Sequence, residues 1–244
     1  MKKLTKILLV NWLYFSKEIV EVDDVNFLTG KNGAGKSTVI DALQIVLLGE
    51  TSNRNFNQAA NEKSQRTLDG YLRADMDENN PYSRKGKDFT SFIACEFLDD
   101  VEGTSFVTGV AFDCRSDGTN VEHFFTYNGT IPESGFVESG FALEYPVFRK
   151  QVKAQYGSTA EFYDTQKQYR TNMLAKWNVH SEQITRMMKK AVSFRPIVDI
   201  QKFITENICD IPEKPDIEAM QENIRAYKRH EQLAQKQEEK LAAL

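Results

Sequence analysis

The sequence predicts an α/β fold, and three features carry that prediction. A glycine-rich turn, Gly30 to Thr38, lies between a short apolar run and a stretch of helical period. Three β-like segments, Thr90 to Leu98, Ser105 to Arg115 and Val121 to Tyr127, are parted by Glu102-Gly103 and Asp117-Gly118, dipeptides that favour hairpin turns. From Val147 onward the apolar spacing becomes helical. The expected architecture is an antiparallel β meander, a helical subdomain and a long terminal helix.

Composition narrows the class. With 244 residues, 41% hydrophobic and 27% charged, the chain is neither disordered, collagenous nor membrane-embedded. A net charge of −4 argues against a dedicated basic nucleic-acid binder, although a local basic patch is compatible with it. Cys95, Cys114 and Cys209 are widely spaced without a C-x-x-C pair. That spacing argues against a disulfide framework or a zinc site and fits a reducing, cytoplasmic setting. No stretch approaches the ~20 apolar residues of a membrane span.

The opening MKKLTKILLVNWLYF superficially resembles a secretory signal. Its unbroken apolar core is only Ile7 to Val10, Asn11 interrupts it, and no small-residue cleavage site follows, so it reads as a buried strand. Thr5 to Thr29 is expected to form two or three strands in meander, with turns near Trp12–Phe15 and Asp23-Asp24. Ile19 to Asp24 alternates like a half-exposed hairpin strand, and Val25 to Thr29 (VNFLT) reads as a buried strand.

Gly30 to Thr38 then reads GKNGAGKST, a full match to G-x-x-x-x-G-K-[ST]. Val39, Ile40, Leu43, Val46 and Leu47 continue it as a helix over 37–48. Strand, glycine-rich turn and helix is the arrangement that phosphate binding requires. Gly30, Gly33 and Gly35 permit positive φ and close backbone approach, and the loop N–H groups with the helix N-terminus make an anion site. Lys36 adds a full charge for the β- and γ-phosphates, and Ser37 can ligate Mg²⁺. The motif predicts binding of a nucleoside triphosphate, ATP with Mg²⁺.

Hydrolysis needs more: an acidic residue on a strand to hold Mg²⁺ and a group to orient water. Glu96 to Asp100 is an acidic strand end, but its apolar run is short and Val101-Glu102-Gly103 follows it as a hairpin turn. No LSGGQ-like signature is present, and Glu133-Ser134-Gly135-Phe136 with Glu138-Ser139-Gly140-Phe141 reads as a glycine-containing surface loop. The rest of the catalytic centre must come from elsewhere.

Further along, Gly49 to Arg66 reads as a polar loop, Arg66 to Met76 as a short helix, and Asp77 to Asp88 as a turn-rich insertion. Helices are expected over Val147 to Tyr156, Thr159 to Trp177, Ser181 to Val192 and Asp199 to Ile208. After Pro212 and Pro215, residues 216–244 contain no Gly or Pro. Ile217, Met220, Ile224 and Tyr227 fall at a/d spacing, continued by Ala234 and Leu241, with Glu231 and Glu238 also on the seam. The segment is one strand of a coiled coil or an amphipathic helix packed on its own domain.

A strand meander leading into GKNGAGKSTVIDALQIVLLG, with a departing helix about two hundred residues later, resembles the N-terminal half of an SMC-type head in the ABC-like ATPase group that includes MukB and SbcC. RTLDGYLRADM, MMKKAVSFRPIVDIQKFITENI and IPEKPDIEAMQENIRAYKRHE are similar to the JetC subunits of Wadjet plasmid-defence systems. The resemblance spans nearly the whole chain and is specific at the P-loop. It implies an ABC/SMC-type P-loop half-head over residues 1–211 and the beginning of a coiled-coil arm over 212–244.

The resemblance also implies partners: the C-terminal half of the same head carrying signature and Walker B motifs, a second head in a homodimer, kleisin and winged-helix subunits, DNA, and a nuclease subunit. ATP-dependent head engagement would drive DNA loop extrusion or entrapment in a bacterial, DNA-associated complex. An SbcC-like repair ATPase or a non-catalytic ATP-dependent assembly module are the other classes. Gly30, Asn32, Gly33, Gly35, Lys36, Ser37 and Thr38 match the family's phosphate-binding motif. The resemblance implies a catalytic role for Lys36, and Arg54, which follows it by 18 residues close to where such heads carry an arginine directed at the nucleotide, is either that catalytic arginine or a solvated loop arginine. The family's Q-loop glutamine would fall near Pro196 or Ile197, neither of which can ligate Mg²⁺, while Gln201 lies within an expected helix. Arg84-Lys85-Gly86-Lys87 and Lys189-Lys190 with Arg195 are either DNA-phosphate contacts or solvated surface charge. His123, His180 and His230 are isolated in the sequence and carry no expected chemistry.

Overall fold

A computed structural model describes residues 1–53, 67–75 and 80–178. The chain divides into two units, Met1–Pro196 and Ile197–Leu244, and all described residues lie in the first. The expected coiled-coil segment 212–244, Arg54, the Q-loop positions and the basic pair at 189–190 therefore lie outside the described residues, as do Cys209, His180 and His230.

Six strands form one sheet in the order β2-β1-β3-β4-β5-β8, every neighbouring pair antiparallel. They are β1 (Lys2–Trp12), β2 (Phe15–Glu21), β3 (Phe89–Asp99), β4 (Thr104–Cys114), β5 (Asn120–Asn128) and β8 (Glu161–Tyr163). A small hairpin, β6 (Val137–Glu138) with β7 (Phe141–Ala142), stands apart from it. The helices are α1 (Lys36–Leu48), α2 (Leu68–Arg73), α3 (Tyr145–Tyr156) and α4 (Gln166–Lys176).

Both faces of the sheet are covered, which explains why β1 and β3 read as near-continuous apolar runs although their pairing is antiparallel. Ile7, Leu9, Ile93, Cys95, Val110 and Phe112 face one core with α1, α2 and α4. Leu8, Val10, Phe92, Ala94, Val107 and Phe125 face the other, with Phe136 and the α3 residues Phe148 and Val152. Period-two alternation sorts the strand residues between the two cores. Each fully buried aliphatic or aromatic side chain contributes about 1.5–3 kcal/mol of transfer free energy.

Three local expectations are corrected. Val25–Thr29 is not a buried strand: it is irregular, and Val25, Phe27 and Leu28 are 72%, 84% and 48% exposed. Its strand-forming composition finds no neighbouring strand among the described residues, and a strand without a partner leaves its N–H and C=O groups unpaired. The helix expected over 159–177 begins later. Gly157–Thr159 is a 3₁₀ turn, Glu161–Tyr163 adds to the β5 edge, and α4 starts only after Thr165, whose side chain accepts from the Gln168 N–H. Aromatic Phe162 and Tyr163 gain more from sheet and core packing than from an extra helical turn. The 133–141 segment is also not wholly superficial, because Phe136 is buried against Phe92 and Phe148.

The acidic end of β3 is occupied by the hairpin. Asp99 pairs with Lys2 and accepts from the Val101 N–H at 3.1 Å. This ion pair holds the Asp99 carboxyl below its ordinary range, as hydrogen bonds from Ser116 and Thr119 do for Asp88 and Asp117. A folded-state pKa below the unfolded one contributes stability above the ordinary carboxylate value near ~4 and loses it as pH falls through the folded value. The melting temperature is expected to decline slightly as pH falls through about 6.5, where His123 takes a proton more readily in the unfolded chain, and more steeply below about pH 4. A melting temperature that rises on acidification would contradict the assignment.

Candidate functional site

The glycine-rich segment folds as an exposed loop ending in α1. Gly30, Gly33 and Gly35 have φ of +147°, +85° and +90°. Gly35 is the decisive one. It forms the α1 N-cap in the left-handed region, and a Cβ there would lie 3.1 Å from the Phe15 ring. Neither the backbone angle nor the space admits a larger residue. At the other end Gly49 caps α1 in the left-handed region and donates its N–H to the Ile45 carbonyl at 2.9 Å.

Within the loop the Ala34 N–H donates to the Lys31 carbonyl at 3.2 Å, closing a tight turn. Lys36 curls back so that its ammonium donates to the Gly30 carbonyl at 2.6 Å and the Lys31 carbonyl at 2.9 Å. Asn32 and Gly33 are exposed, Lys36 and Ser37 half-buried, and Thr38 buried. No acidic residue lies in the first turn of α1, so nothing opposes the positive end of the helix dipole. The glycine-rich loop thus forms a rim at the N-terminus of α1 that carries the Lys36 charge, a combination suited to a polyanion.

Ser37 offers a hard hydroxyl oxygen beside this rim, a donor type that suits Mg²⁺. Among the described residues no group of three or more His, Cys, Asp or Glu side chains is placed to hold a metal. Arg54 lies outside the described residues.

Three residues that the sequence did not mark hold the loop from beneath. The Trp12 indole N–H donates to the Thr38 carbonyl at 3.0 Å, the Tyr71 hydroxyl donates to the Asp41 carboxylate, and the Trp12 and Tyr71 rings stack with centroids 4.7 Å apart. All three side chains are fully buried. They stand at positions 12, 41 and 71, so no local pattern announces them; only the aromatic density of Trp12–Phe15 gives a hint.

Residues 4–63 match the family described as the P-loop containing region of AAA domain. The match spans β1, β2, the loop and α1, and it supports a P-loop NTPase N-terminal region with nucleotide binding. No curated protein matches the chain.

Elsewhere, in the basic cluster at 84–87, Lys85 and Lys87 are exposed surface charges and Arg84 alone departs from expectation. Arg84 is drawn inward, donating to the Leu72 and Leu13 carbonyls at 2.8 and 2.7 Å and lying over the Phe89 ring. Burial pushes its pKa down to about 10, and Lys85 is paired with Asp75. His123 is not isolated either: it stacks on Tyr145 with ring centroids 3.6 Å apart, and burial lowers its pKa. Cys95 and Cys114 are buried free thiols pushed up to about 12, with no nucleophilic character. No helix among the described residues is long and apolar enough to cross a membrane.

Proposed function

We propose that this chain is the ATP-binding part of a composite, SMC-like ATPase head whose remaining catalytic groups come from another polypeptide segment. The observation that carries this reading is the contrast between a formed P-loop and the irregular, exposed apolar segment that leads into it. Gly30–Thr38 has its turns and its helix, whereas Val25–Thr29 exposes Val25, Phe27 and Leu28 directly before it. A strand from a second segment, bearing the acidic metal ligand, would satisfy both the exposed apolar side chains and the missing chemistry.

In this reading the loop N–H groups and Lys36 bind and orient the β- and γ-phosphates, and the Ser37 hydroxyl is the group that would hold Mg²⁺. That ion, when bound, supplies charge neutralisation at the phosphate oxygens. In this reading the group that orients the attacking water comes from the other segment, so binding and turnover are separable. ATP held between two heads would join them, and hydrolysis would release them, a γ-phosphate switch of the order-and-release kind. The resemblance extends the proposal to DNA loop extrusion or entrapment in a Wadjet- or MukBEF-like complex with kleisin and winged-helix subunits. The SbcC-like repair reading differs in requiring a metal-dependent nuclease partner.

The 244-residue chain is expected to bind MgATP yet to release no phosphate above buffer, measured by a coupled phosphate assay over hours. Adding the complementary head segment in trans is expected to restore turnover that Lys36→Ala abolishes. Lys36-dependent turnover by the chain alone would refute the composite site.

A further inference from the structure

Burial of apolar surface is itself non-directional, and a helix seated on aliphatic side chains owes its azimuth to shape fit alone. Hydrogen bonds are directional, and α1 receives buried ones at both ends. At its first turns the Thr38 carbonyl accepts from Trp12 and the Asp41 carboxylate from Tyr71. Thr38 and Asp41 stand three residues apart, hence on one side of the helix. Near its end the Val46 carbonyl accepts from the Tyr169 hydroxyl at 2.8 Å, which also bonds the Thr108 hydroxyl at 2.6 Å.

We propose that Trp12 and Tyr71 form a clamp on Thr38 and Asp41 that sets the rotation of the first turn of α1, making them positioning residues for Lys36 and Ser37. The proposal rests on reading 30–38 as a nucleotide cradle. The clamp is itself rigidly placed. Leu13 donates its N–H to the Tyr71 carbonyl at 2.7 Å, and Arg84 ties the Leu72 and Leu13 carbonyls together. Thr67 caps α2 by accepting from the Gly70 N–H at 3.0 Å. Stacking fixes the Tyr71 ring against Trp12, and the hydroxyl has one direction in which to reach α1. Since Lys36 and Ser37 immediately precede Thr38, an azimuthal slip there displaces the phosphate-binding groups directly. Displacements of about 1 Å at such groups cost up to ~100-fold in function.

Tyr169 provides the internal control. Tyr71→Phe and Tyr169→Phe each remove one buried hydroxyl that bonds α1. The second acts nine residues beyond Ser37, about 13 Å along the helix at 1.5 Å per residue. The test compares both variants, and Trp12→Phe as a second clamp variant, by MgATP titration calorimetry, thermal melting, and amide exchange of the ligand-free chain. Tyr71→Phe and Trp12→Phe are expected to weaken MgATP binding about 5- to 20-fold, and to speed exchange of the Val39 amide about tenfold. Tyr169→Phe is expected to lower the melting temperature comparably while leaving affinity within about twofold of wild type. Equal affinity in Tyr71→Phe and wild type, or equal weakening by Tyr169→Phe, overturns the clamp alone. A wild-type chain that does not bind MgATP overturns the cradle reading and the clamp with it.

Discussion

Lys36→Ala is expected to weaken MgATP binding at least about 100-fold while changing the melting temperature by no more than about 2 °C. The two effects separate because Lys36, the first residue of α1, sends its ammonium back over the exposed loop. Its ammonium touches the Gly30 and Lys31 carbonyls, and neither contact belongs to a core. Losing them costs little, since solvent replaces both. Facing a triphosphate, the same ammonium makes charge-assisted hydrogen bonds worth about 1.5–3 kcal/mol. A hundredfold loss corresponds to about 2.7 kcal/mol, within reach of that one group acting on two phosphates. Calorimetric titration of wild type and variant decides the matter. An affinity unchanged within about twofold would mean that the ligand's phosphates do not sit in this loop.

The parts of the fold that were legible in the sequence are those fixed by neighbouring residues. Glu102-Gly103 and Asp117-Gly118 place the β3–β4 and β4–β5 turns, and Gly103 and Gly118 indeed take positive φ. The strand ends fall within about one residue of expectation because turn chemistry is local. Gly35 and Gly49 bracket α1 for the same reason. What the sequence misjudged depends on partners distant in the chain. VNFLT has strand composition, but a strand exists only where another pairs with it. Arg84 reads as surface charge until the Leu13 and Leu72 carbonyls are seen converging on it. Phe162 and Tyr163 read as helix until the β5 edge offers Phe124 and Phe125 as partners. The candidate site divides along the same line. The cradle is a contiguous nonapeptide and was visible, whereas its supports Trp12, Tyr71 and Asp41 come from three separate elements and were not.

The second large effect is expected on the other face of the sheet, at Gly109. A Cβ there would lie 2.5 Å from the Ile93 carbonyl oxygen and 2.8 Å from the tip of the Phe125 ring. Alanine fits a strand better than glycine by up to about 1 kcal/mol in propensity, so the sign is not obvious from composition. Geometry decides it. The first obstacle is backbone of the paired strand β3, which cannot rotate away, and the second is a fully buried ring. Phe125 is packed among Phe136, Phe148 and Phe162, so yielding to the new methyl group disturbs an aromatic cluster rather than one side chain. Overpacking of this kind costs about 1–3 kcal/mol or more, which exceeds the propensity gain. At roughly 2–4 °C per kcal/mol for a unit of this size, Gly109→Ala is expected to melt about 5–10 °C lower. Because Phe125 belongs to the core opposite α1, MgATP affinity well below the transition should stay within about twofold of wild type. Thermal melting with parallel titration tests both halves. A variant as stable as wild type would show that β3 and β4 can separate without cost. A variant that loses affinity in proportion to stability would show that the sheet transmits strain from one core to the other, and that the loop is less insulated than its anchoring on Trp12 and Tyr71 implies.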